Sequence, residues 1–132
     1  MPVDQSLVGR EFPPTSQRTV TTDEVAAFAT ALGAVPDDTV PPTYPIVLAF
    51  DAMNAFLASE QIDLFRIIHG EQRFAYERPV RIGDTLTATL TVASLRQIGG
   101  ADIIGTSSAI HDADGALVCT AKATLVHTGG AA

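Results

Sequence analysis

The second half of the chain alternates between apolar and polar residues, and this is its clearest pattern. From residue 85 to residue 92, threonine occupies every odd position, while leucine, alanine or valine occupies every even one. A period of two with one polar face predicts a half-buried antiparallel strand. The pattern returns over residues 117–125, and Phe74 and Tyr76 share one face of a further predicted strand in the 70s. A short strand is also predicted at residues 17–20.

Two helices are predicted in the first half of the chain. Thr21 stands three residues before an acidic residue, the spacing of a capping box, and apolar residues then recur at helical intervals, so a helix is predicted over residues 22–32. A second helix is predicted over residues 46–59, which are apolar around nearly the whole helical circumference. Such a helix is normally buried on most sides. We therefore expect its polar residues Asp51 and Asn54 to need hydrogen-bond partners in the interior.

Turn-forming residues separate these elements and define the fold class. Residues 33–45 contain four prolines and form a predicted loop, while Gly99-Gly100 and the Asp-Ala-Asp-Gly sequence at 112–115 predict turns between the last strands. An apolar helix followed by four antiparallel strands predicts an α+β domain over residues 1–132, with a frayed tail at 128–132. A sheet of this kind has an exposed edge, so pairing with a second domain is expected.

Composition narrows the functional classes. The net charge of −7 argues against a nucleic-acid partner, and no apolar run reaches the roughly 18 residues that a membrane span needs. The first residues do not resemble a secretory signal, and the single cysteine, Cys119, excludes an internal disulfide, so a cytoplasmic protein is expected. His111 and His127 have no neighbours at metal-ligand spacing. We predict no metal and no cofactor.

Half of the eight lysine and arginine residues lie within sixteen positions. They are Arg66, Arg73, Arg78 and Arg81. Guanidinium groups bind phosphate in a bidentate manner, so these residues could hold the phosphates of coenzyme A or of a phosphopantetheine arm. The alternative, which we favour, is that they pair with Glu71 and Glu77 on a solvent-exposed strand face.

The segment His69-Gly-Glu-Gln-Arg-Phe-Ala-Tyr-Glu-Arg-Pro-Val-Arg-Ile-Gly-Asp84 resembles the link between central helix and main sheet in the MaoC-like hydratase/dehydratase family. The resemblance extends over about residues 8–126 and includes Val8-Gly9-Arg10, the capped first helix, the proline-rich loop and the closing hairpin. It is strongest to the amino-terminal domain of two-domain MaoC-like proteins and to non-catalytic subunits of (3R)-hydroxyacyl-carrier-protein dehydratases. The resemblance implies a hotdog fold, an antiparallel sheet wrapped around a long central helix, and a substrate held as a thioester.

The same resemblance implies a missing catalyst. Catalytic members contain an aspartate and a histidine, five residues apart, just after the first helix. Aligning Gly33 with the family's glycine places Ala34 and Thr39 at these positions, with Asp37 and Asp38 nearby. Neither Ala34 nor Thr39 transfers protons near neutral pH. We therefore expect an acyl-binding subunit, in a homodimer or in a heterodimer with a hotdog chain that contains the Asp–His pair.

Several residues are candidates for a site of their own. His69 and Glu71, two residues apart and so on one face of a strand, could form a replacement acid–base pair. Asp51 could act as the base or nucleophile of a homodimeric acyl-CoA thioesterase, for which Glu71 is the other candidate. For each of the three, a structural role is the alternative. A binding module without chemistry is a further hypothesis.

Four other residues are candidates for substrate binding rather than catalysis. They are Tyr76, Asn54, Arg73 and Arg78. In addition, Ala49, Ala52 and Ala55 on the second helix could leave room for the acyl chain of acyl-CoA or acyl carrier protein, although alanines also let a helix sit close to a sheet.

Overall fold

A computed structural model describes residues 3–37 and 39–128. Two α-helices and five strands make up the fold, together with short 3₁₀ turns at Gln5–Leu7 and Leu64–Arg66. In chain order the elements are β1 (Arg18–Thr19), α1 (Thr22–Ala31), α2 (Ile46–Ser59), β2 (Ile67–Tyr76), β3 (Thr85–Ile98), β4 (Ala101–His111) and β5 (Leu117–Thr128). The predicted helices and strands are all present, and β3 extends six residues beyond the predicted stretch.

The start and end of α1 follow from local chemistry. The Oγ1 atom of Thr21 accepts a hydrogen bond from the backbone N–H of Glu24 at 3.1 Å, as the capping-box spacing predicted. The helix ends one residue before the predicted limit, and Gly33 follows with φ of +80°. A positive φ is strained for residues with a Cβ atom, which is why glycine suits this position.

The five strands form one antiparallel sheet in the order β1-β3-β4-β5-β2. Helix α2 packs on its concave face, mainly over β3 and also over β4. Leu48 and Phe56 of the helix are fully buried against strand residues such as Leu86 and Leu90. The result is a curled sheet around a central helix, the α+β hotdog fold that the sequence predicted.

Helix α2 has the predicted bounds but not the predicted burial. One face is buried, whereas Phe50 is 40% exposed and Asn54 is exposed. The expectation that Asp51 and Asn54 lie in the interior is therefore wrong, because both residues are on the side of α2 that faces away from the sheet. An apolar stretch on a half-covered helix leaves some of its hydrophobic side chains on the surface.

The two edges of the sheet differ. Along β3, the amino-terminal segment supplies hydrogen bonds, among them Gly9 N–H to the Val92 carbonyl at 2.8 Å and Phe12 N–H to the Leu90 carbonyl at 2.8 Å. At the other side, β2 is the last strand, and within the described residues no further strand pairs with it. A ten-residue edge of this kind is a template for pairing with another chain.

Within the described residues, neither helix is both long enough and apolar enough to cross a membrane. The predicted tail begins at Thr128, which is instead the last residue of β5. Residues 129–132 lie outside the described part of the chain.

Candidate functional site

An open apolar groove of about 720 Å³ runs between the two helices and β2. It lies on the side of the concave face that α2 leaves free, since α2 packs over β3 and β4. Its walls include Phe28 and Leu32 of α1, Ile46 and Phe50 of α2, and His69 and Phe74 of β2. We call this space the apolar groove. Its lining is suited to an aliphatic chain.

A β-bulge at Gly70 determines which residues of β2 face this groove. His69 pairs with Leu125, but Glu71 pairs with Thr124, so the register shifts by one residue between them. Opposed residues on antiparallel strands share a face, and adjacent residues on β5 point to opposite faces. His69 is therefore on the concave face and Glu71 on the outer face. The prediction that the two share a face is wrong, because the bulge reverses the alternation.

His69 contacts other groups inside the groove. Its Nε2 atom is 3.0 Å from Oε1 of Gln72, and its ring lies 5.7 Å from the ring of Phe50 at a tilt of 60°. Among the described residues no carboxylate hydrogen-bonds to His69. His69 is thus a polar residue in an apolar wall. It lacks the carboxylate partner that would orient a histidine acting as general base.

Glu71 and Arg73 pair on the outer face of β2. The Arg73 Nη2 atom is 2.9 Å from Oε2 of Glu71, and the hydroxyl of Thr124 donates to the other carboxylate oxygen at 3.4 Å. This ion pair is the one expected if the clustered arginines pair with neighbouring glutamates and do not bind phosphate. Arg73, a predicted substrate-binding residue, is largely solvent-exposed and faces away from the apolar groove.

The loop after α1 contains Ala34 and Thr39, the two residues that the family resemblance predicted at the catalytic positions. Asp37 accepts hydrogen bonds from both the backbone N–H (2.8 Å) and the hydroxyl (2.6 Å) of Thr39, so these residues form a small exposed turn. The bonds from Thr39 lower the pKa of Asp37. Ala34 brings only a methyl group, and Asp38 lies outside the described residues. Among the described residues of this loop, the Asp37 carboxylate is therefore engaged by Thr39.

The same loop forms one wall of a second groove, of about 410 Å³, with the end of β2. Val40, Pro41 and Pro42 face Tyr76 and Pro79 across it. The hydroxyl of Tyr76 donates to the carbonyl of Pro42, and burial, with a smaller effect of Cys119, raises the pKa of Tyr76 to about 12. Tyr76 therefore holds the loop against the sheet as a neutral donor.

Cys119 is buried under the second groove. It pairs with Tyr76 across β5 and β2, and burial raises the pKa of its thiol to about 11. A buried neutral thiol is a poor nucleophile. Cys119 fills the core, as predicted.

Arg78 holds two carboxylates at the rim of the second groove. Its Nη1 and Nη2 atoms lie 2.8 and 3.2 Å from Asp84, and Nη2 lies 3.3 Å from Asp112. Burial alone would raise the pKa of Asp84, but bonds from Arg78 and from the Arg81 backbone outweigh it, so the pKa is lowered. The predicted pairing with Glu77 is wrong for Arg78, because the chain turns after β2 and brings Asp84 and Asp112 to it instead. Its guanidinium fork is occupied by carboxylates.

A third groove, of about 640 Å³, is polar and lies at the opposite side of α2. There Asp51 accepts hydrogen bonds of 2.9 to 3.1 Å from two nitrogens of Arg18, which also reaches Glu24 at 3.4 Å. Asn54 lines the same groove. The carboxylate of Asp51 is thus neutralised by a bidentate arginine, an arrangement that joins β1 to α2.

The sequence-predicted site residues do not meet at one place. His69 lies in the apolar groove, and Glu71 borders the same groove although it pairs on the outer face. Tyr76 and Arg78 line the second groove, Asp51 and Asn54 line the polar groove, and Arg73 lies on the outer face. The small residues are also divided, since Ala49 and Ala52 are buried while Ala55 faces the polar groove. The apolar groove is lined chiefly by Phe28, Leu32, Phe50 and Gln72, which the sequence did not single out.

Asp102 and His127 form a buried pair that was not predicted from the sequence. His127 Nδ1 lies 3.0 Å from Oδ2 of Asp102, and both side chains are almost fully buried. The signal was present, since Asp102 occupies an inward position in the alternation of β4 and His127 continues the inward row of β5. The backbone N–H of Val3 and the amide of Gln97 complete the hydrogen bonds of Asp102. This pair lies at the hairpin end of the sheet and fixes the amino terminus. No cluster of three or more potential metal ligands occurs within residues 3–37 and 39–128.

Residues 35–121 match the family described as FAS1-like, dehydratase domain region. The chain belongs to this family. It is also 36% identical to a UPF0336 protein of Streptomyces coelicolor, over 96% of this chain and 95% of the relative.

Solved structures agree with this assignment. The chain is similar to one in the HadBC (3R-hydroxyacyl-ACP dehydratase) complex of Mycobacterium tuberculosis, with 26% identity, a TM-score of 0.78 and coverage of 96% and 99%. A MaoC-like dehydratase of Rhodospirillum rubrum shares the fold at 20% identity, with a TM-score of 0.66 and 91% of both chains covered. The FAS1-like dehydratase-region chain thus has the hotdog fold of MaoC-like dehydratases, as its sequence predicted.

Proposed function

We propose that the chain is the acyl-binding, non-catalytic half of an (R)-specific enoyl-thioester hydratase or 3-hydroxyacyl-thioester dehydratase. The observation that supports this most is the combination of a dehydratase-type hotdog with a turn at the expected catalytic positions. Ala34 and Thr39 stand where the family's aspartate and histidine are expected, and Asp37 is engaged in the turn. The chain thus has the fold of these dehydratases, but the side chains of Ala34 and Thr39 do not serve as an acid or a base.

The reaction explains why these positions matter. Addition of water across a 2-enoyl thioester needs a base that activates water and a donor that stabilises negative charge on the thioester oxygen. In this chain the candidate bases are bound to arginine: Asp51 to Arg18 and Glu71 to Arg73. His69 has no carboxylate partner among the described residues. A second hotdog chain containing the Asp–His pair is the proposed source of the catalyst.

The free edge of β2 is the proposed contact with that second chain. The edge is ten residues long, and Ile68 on its outer side is 60% exposed. Glu71 and Arg73 lie on the same outer face, so an antiparallel partner strand with complementary charges would pair with them. The similar dehydratase from Mycobacterium tuberculosis is the HadBC complex, and this similarity favours a heterodimer. We place the assembly in the cytoplasm, with acyl-CoA or acyl carrier protein as its thioester substrate and no cofactor.

The test is loss of enoyl absorbance from crotonyl-CoA and from a longer 2-enoyl-CoA. The purified chain is assayed alone and mixed with a MaoC-like subunit of the same organism that contains the Asp–His pair. We expect turnover only in the mixture. Turnover by the chain alone, abolished by His69→Ala, would overturn the proposal.

The thioesterase hypothesis has less support, because both of its candidate bases, Asp51 and Glu71, are paired with arginine. It stays a prediction with a separate test. Release of free thiol from acyl-CoA by the chain alone, lost in Asp51→Asn or Glu71→Gln, would replace the proposal above.

A further inference from the structure

Next to the apolar groove lies a smaller and more enclosed cavity. Phe50, His69 and Gln72 line both spaces and so form the wall between them. The smaller cavity has room for only about 10 Å³, against about 720 Å³ in the groove. A space of 10 Å³ accommodates about one water molecule. The groove therefore ends at this wall.

The far side of the wall is lined by small or adaptable side chains. Ala49 and Met53 of α2 face Ala121 and Ala123 of β5, and the hydroxyls of Thr106 and Ser108 on β4 complete the cavity. Methionine is unbranched and has several rotatable bonds, so it adapts to a changing neighbour. A cavity with these walls can widen if the dividing side chains move away.

The dividing side chains have space to move. Phe50 is 40% exposed, His69 is exposed and Gln72 is half-buried, so none of the three is enclosed by the core. The hydrogen bond of 3.0 Å between His69 and Gln72 and the ring contact of 5.7 Å between His69 and Phe50 hold the wall together. The bulge at Gly70 aims His69 at this place, and bulges are frequent next to binding sites, where they redirect a side chain.

We propose that Phe50, His69 and Gln72 form a gate that sets the length of the acyl chain held by the apolar groove. With the gate closed, the chain ends against the wall. With Phe50 turned away, the terminal methylenes enter the space between Ala49 and Ala123. The inference rests on the proposed function in one respect, that the ligand of the groove is the unbranched acyl chain of a thioester.

Two substitutions act on the gate in opposite directions. Phe50→Ala removes the ring from the wall and joins the two spaces, whereas Ala123→Leu fills the space behind it. Each methylene taken out of water contributes about a fourfold gain in affinity, so two additional buried methylenes give more than tenfold. Ile98→Ala is the control, since Ile98 is an exposed apolar residue of the β3–β4 hairpin that lines neither space.

The experiment is calorimetric titration of the full chain with butyryl-CoA, octanoyl-CoA and dodecanoyl-CoA. We expect Phe50→Ala to raise the ratio of dodecanoyl-CoA to butyryl-CoA affinity at least tenfold over the unaltered chain. Adding Ala123→Leu should return the ratio to within twofold, and Ile98→Ala should leave it unchanged. If thermal unfolding shows that Ala123→Leu does not fold, Ala123→Val is the smaller replacement, with a partial return expected.

An equal effect of Phe50→Ala on all three ligands, or no reversal by the filling substitution, would overturn the gate. Absence of acyl-CoA binding would do the same. Failure of the gate is distinct from failure of the proposed function. If the two-subunit mixture turns over substrate but binding does not depend on chain length, the gate is wrong and the supporting role stands. If binding depends on chain length but the mixture gives no turnover, the supporting role is wrong and the gate stands.

Discussion

Asp102 is the only buried carboxylate among the described residues, and its contacts explain why it can remain ionised there. Burial alone would raise the pKa of Asp102, but hydrogen bonds from His127, the Val3 backbone and Gln97 outweigh it, so the pKa is lowered from its usual value of 3.8. A buried charge with all its hydrogen bonds in place is stabilising once formed, and removal of its charge is costly. The amino-terminal segment depends on this carboxylate.

We predict that Asp102→Asn destabilises the fold by about 1–3 kcal/mol at pH 7, since His127 and Val3 lose a charged acceptor. Because the folded-state pKa lies below the unfolded one, this contribution is present above the unfolded pKa and is lost as the pH falls through the folded pKa. Urea denaturation of both proteins at pH 7 and pH 3 measures it. The difference between them should shrink at the lower pH, and a constant difference would contradict the argument.

Arg78 gives a second prediction about a single residue. Because its guanidinium joins Asp84 to Asp112, Arg78→Gln should lower the free energy of unfolding by about 1–2 kcal/mol. If Arg78 has a structural role, the affinity of the Arg78→Gln variant for coenzyme A, measured by calorimetry, should equal that of the unaltered chain. A large loss of coenzyme A affinity with unaltered stability would instead support phosphate docking. Arg73→Gln is the matched control on the exposed outer face.

Single-residue predictions from sequence failed where a local irregularity intervened. The period-two rule placed Glu71 beside His69, but the bulge at Gly70 reversed it. Alternation correctly placed the inward row of β3 over residues 86–92. In β5 it held from Cys119 to Leu125, but a register shift next to Cys119 leaves Leu117 exposed and buries Val118 instead. Partners that are distant in sequence, such as Asp102 and His127, could be suspected from their inward positions only, since their pairing depends on strand register.

At the scale of elements, the two sheet edges have different environments. The amino-terminal segment covers β3 through backbone bonds from residues such as Gly9 and Phe12, whereas β2 ends the sheet. Natural sheets usually protect an edge with a covering segment, a bulge or charged residues. Edge strand β2 has a bulge and the Glu71–Arg73 pair but also the exposed Ile68. The exposed Ile68 therefore leaves an apolar side chain on an edge that is otherwise protected.

We predict that Ile68→Lys prevents association, because a lysine at this position puts an unpaired charge into the paired edge. Sedimentation equilibrium of the chain, alone and with a dyad-containing subunit, should show association that this substitution lowers at least tenfold. Ile98→Lys makes the same chemical change at the far hairpin and should have no effect. Equal association of both variants would show that β2 is not the contact.

The bounds of the helices were more predictable than the burial of their faces. The cap of α1 and the bounds of α2 follow from local sequence, because capping and helical periodicity depend on residues within a few positions of each other. The one-sided burial of α2 could not be predicted in this way. It depends on where the sheet stops, and α2 packs mainly over β3, with fewer contacts to β4.

At the scale of the whole molecule, the chain has the architecture of a dehydratase and an apolar groove, but a turn at the expected catalytic positions. The fold followed from pattern and resemblance together, since alternating strands alone are compatible with several α+β arrangements. By position, the sequence predicts that the Asp–His pair is absent, and this stays a prediction. The residues that would supply the catalytic groups belong, in our proposal, to a second chain, so they could not be predicted from this sequence.

We propose that this chain supports catalysis by another subunit. The most direct measurement is a titration in which a fixed amount of a dyad-containing MaoC-like subunit receives increasing amounts of the chain, with hydration of crotonyl-CoA followed by loss of enoyl absorbance. We predict that the rate rises and saturates at one chain per catalytic subunit, and that the chain alone gives no turnover. Turnover by the chain alone, or a partner rate that its addition leaves unchanged, would show that the chain is not a supporting subunit.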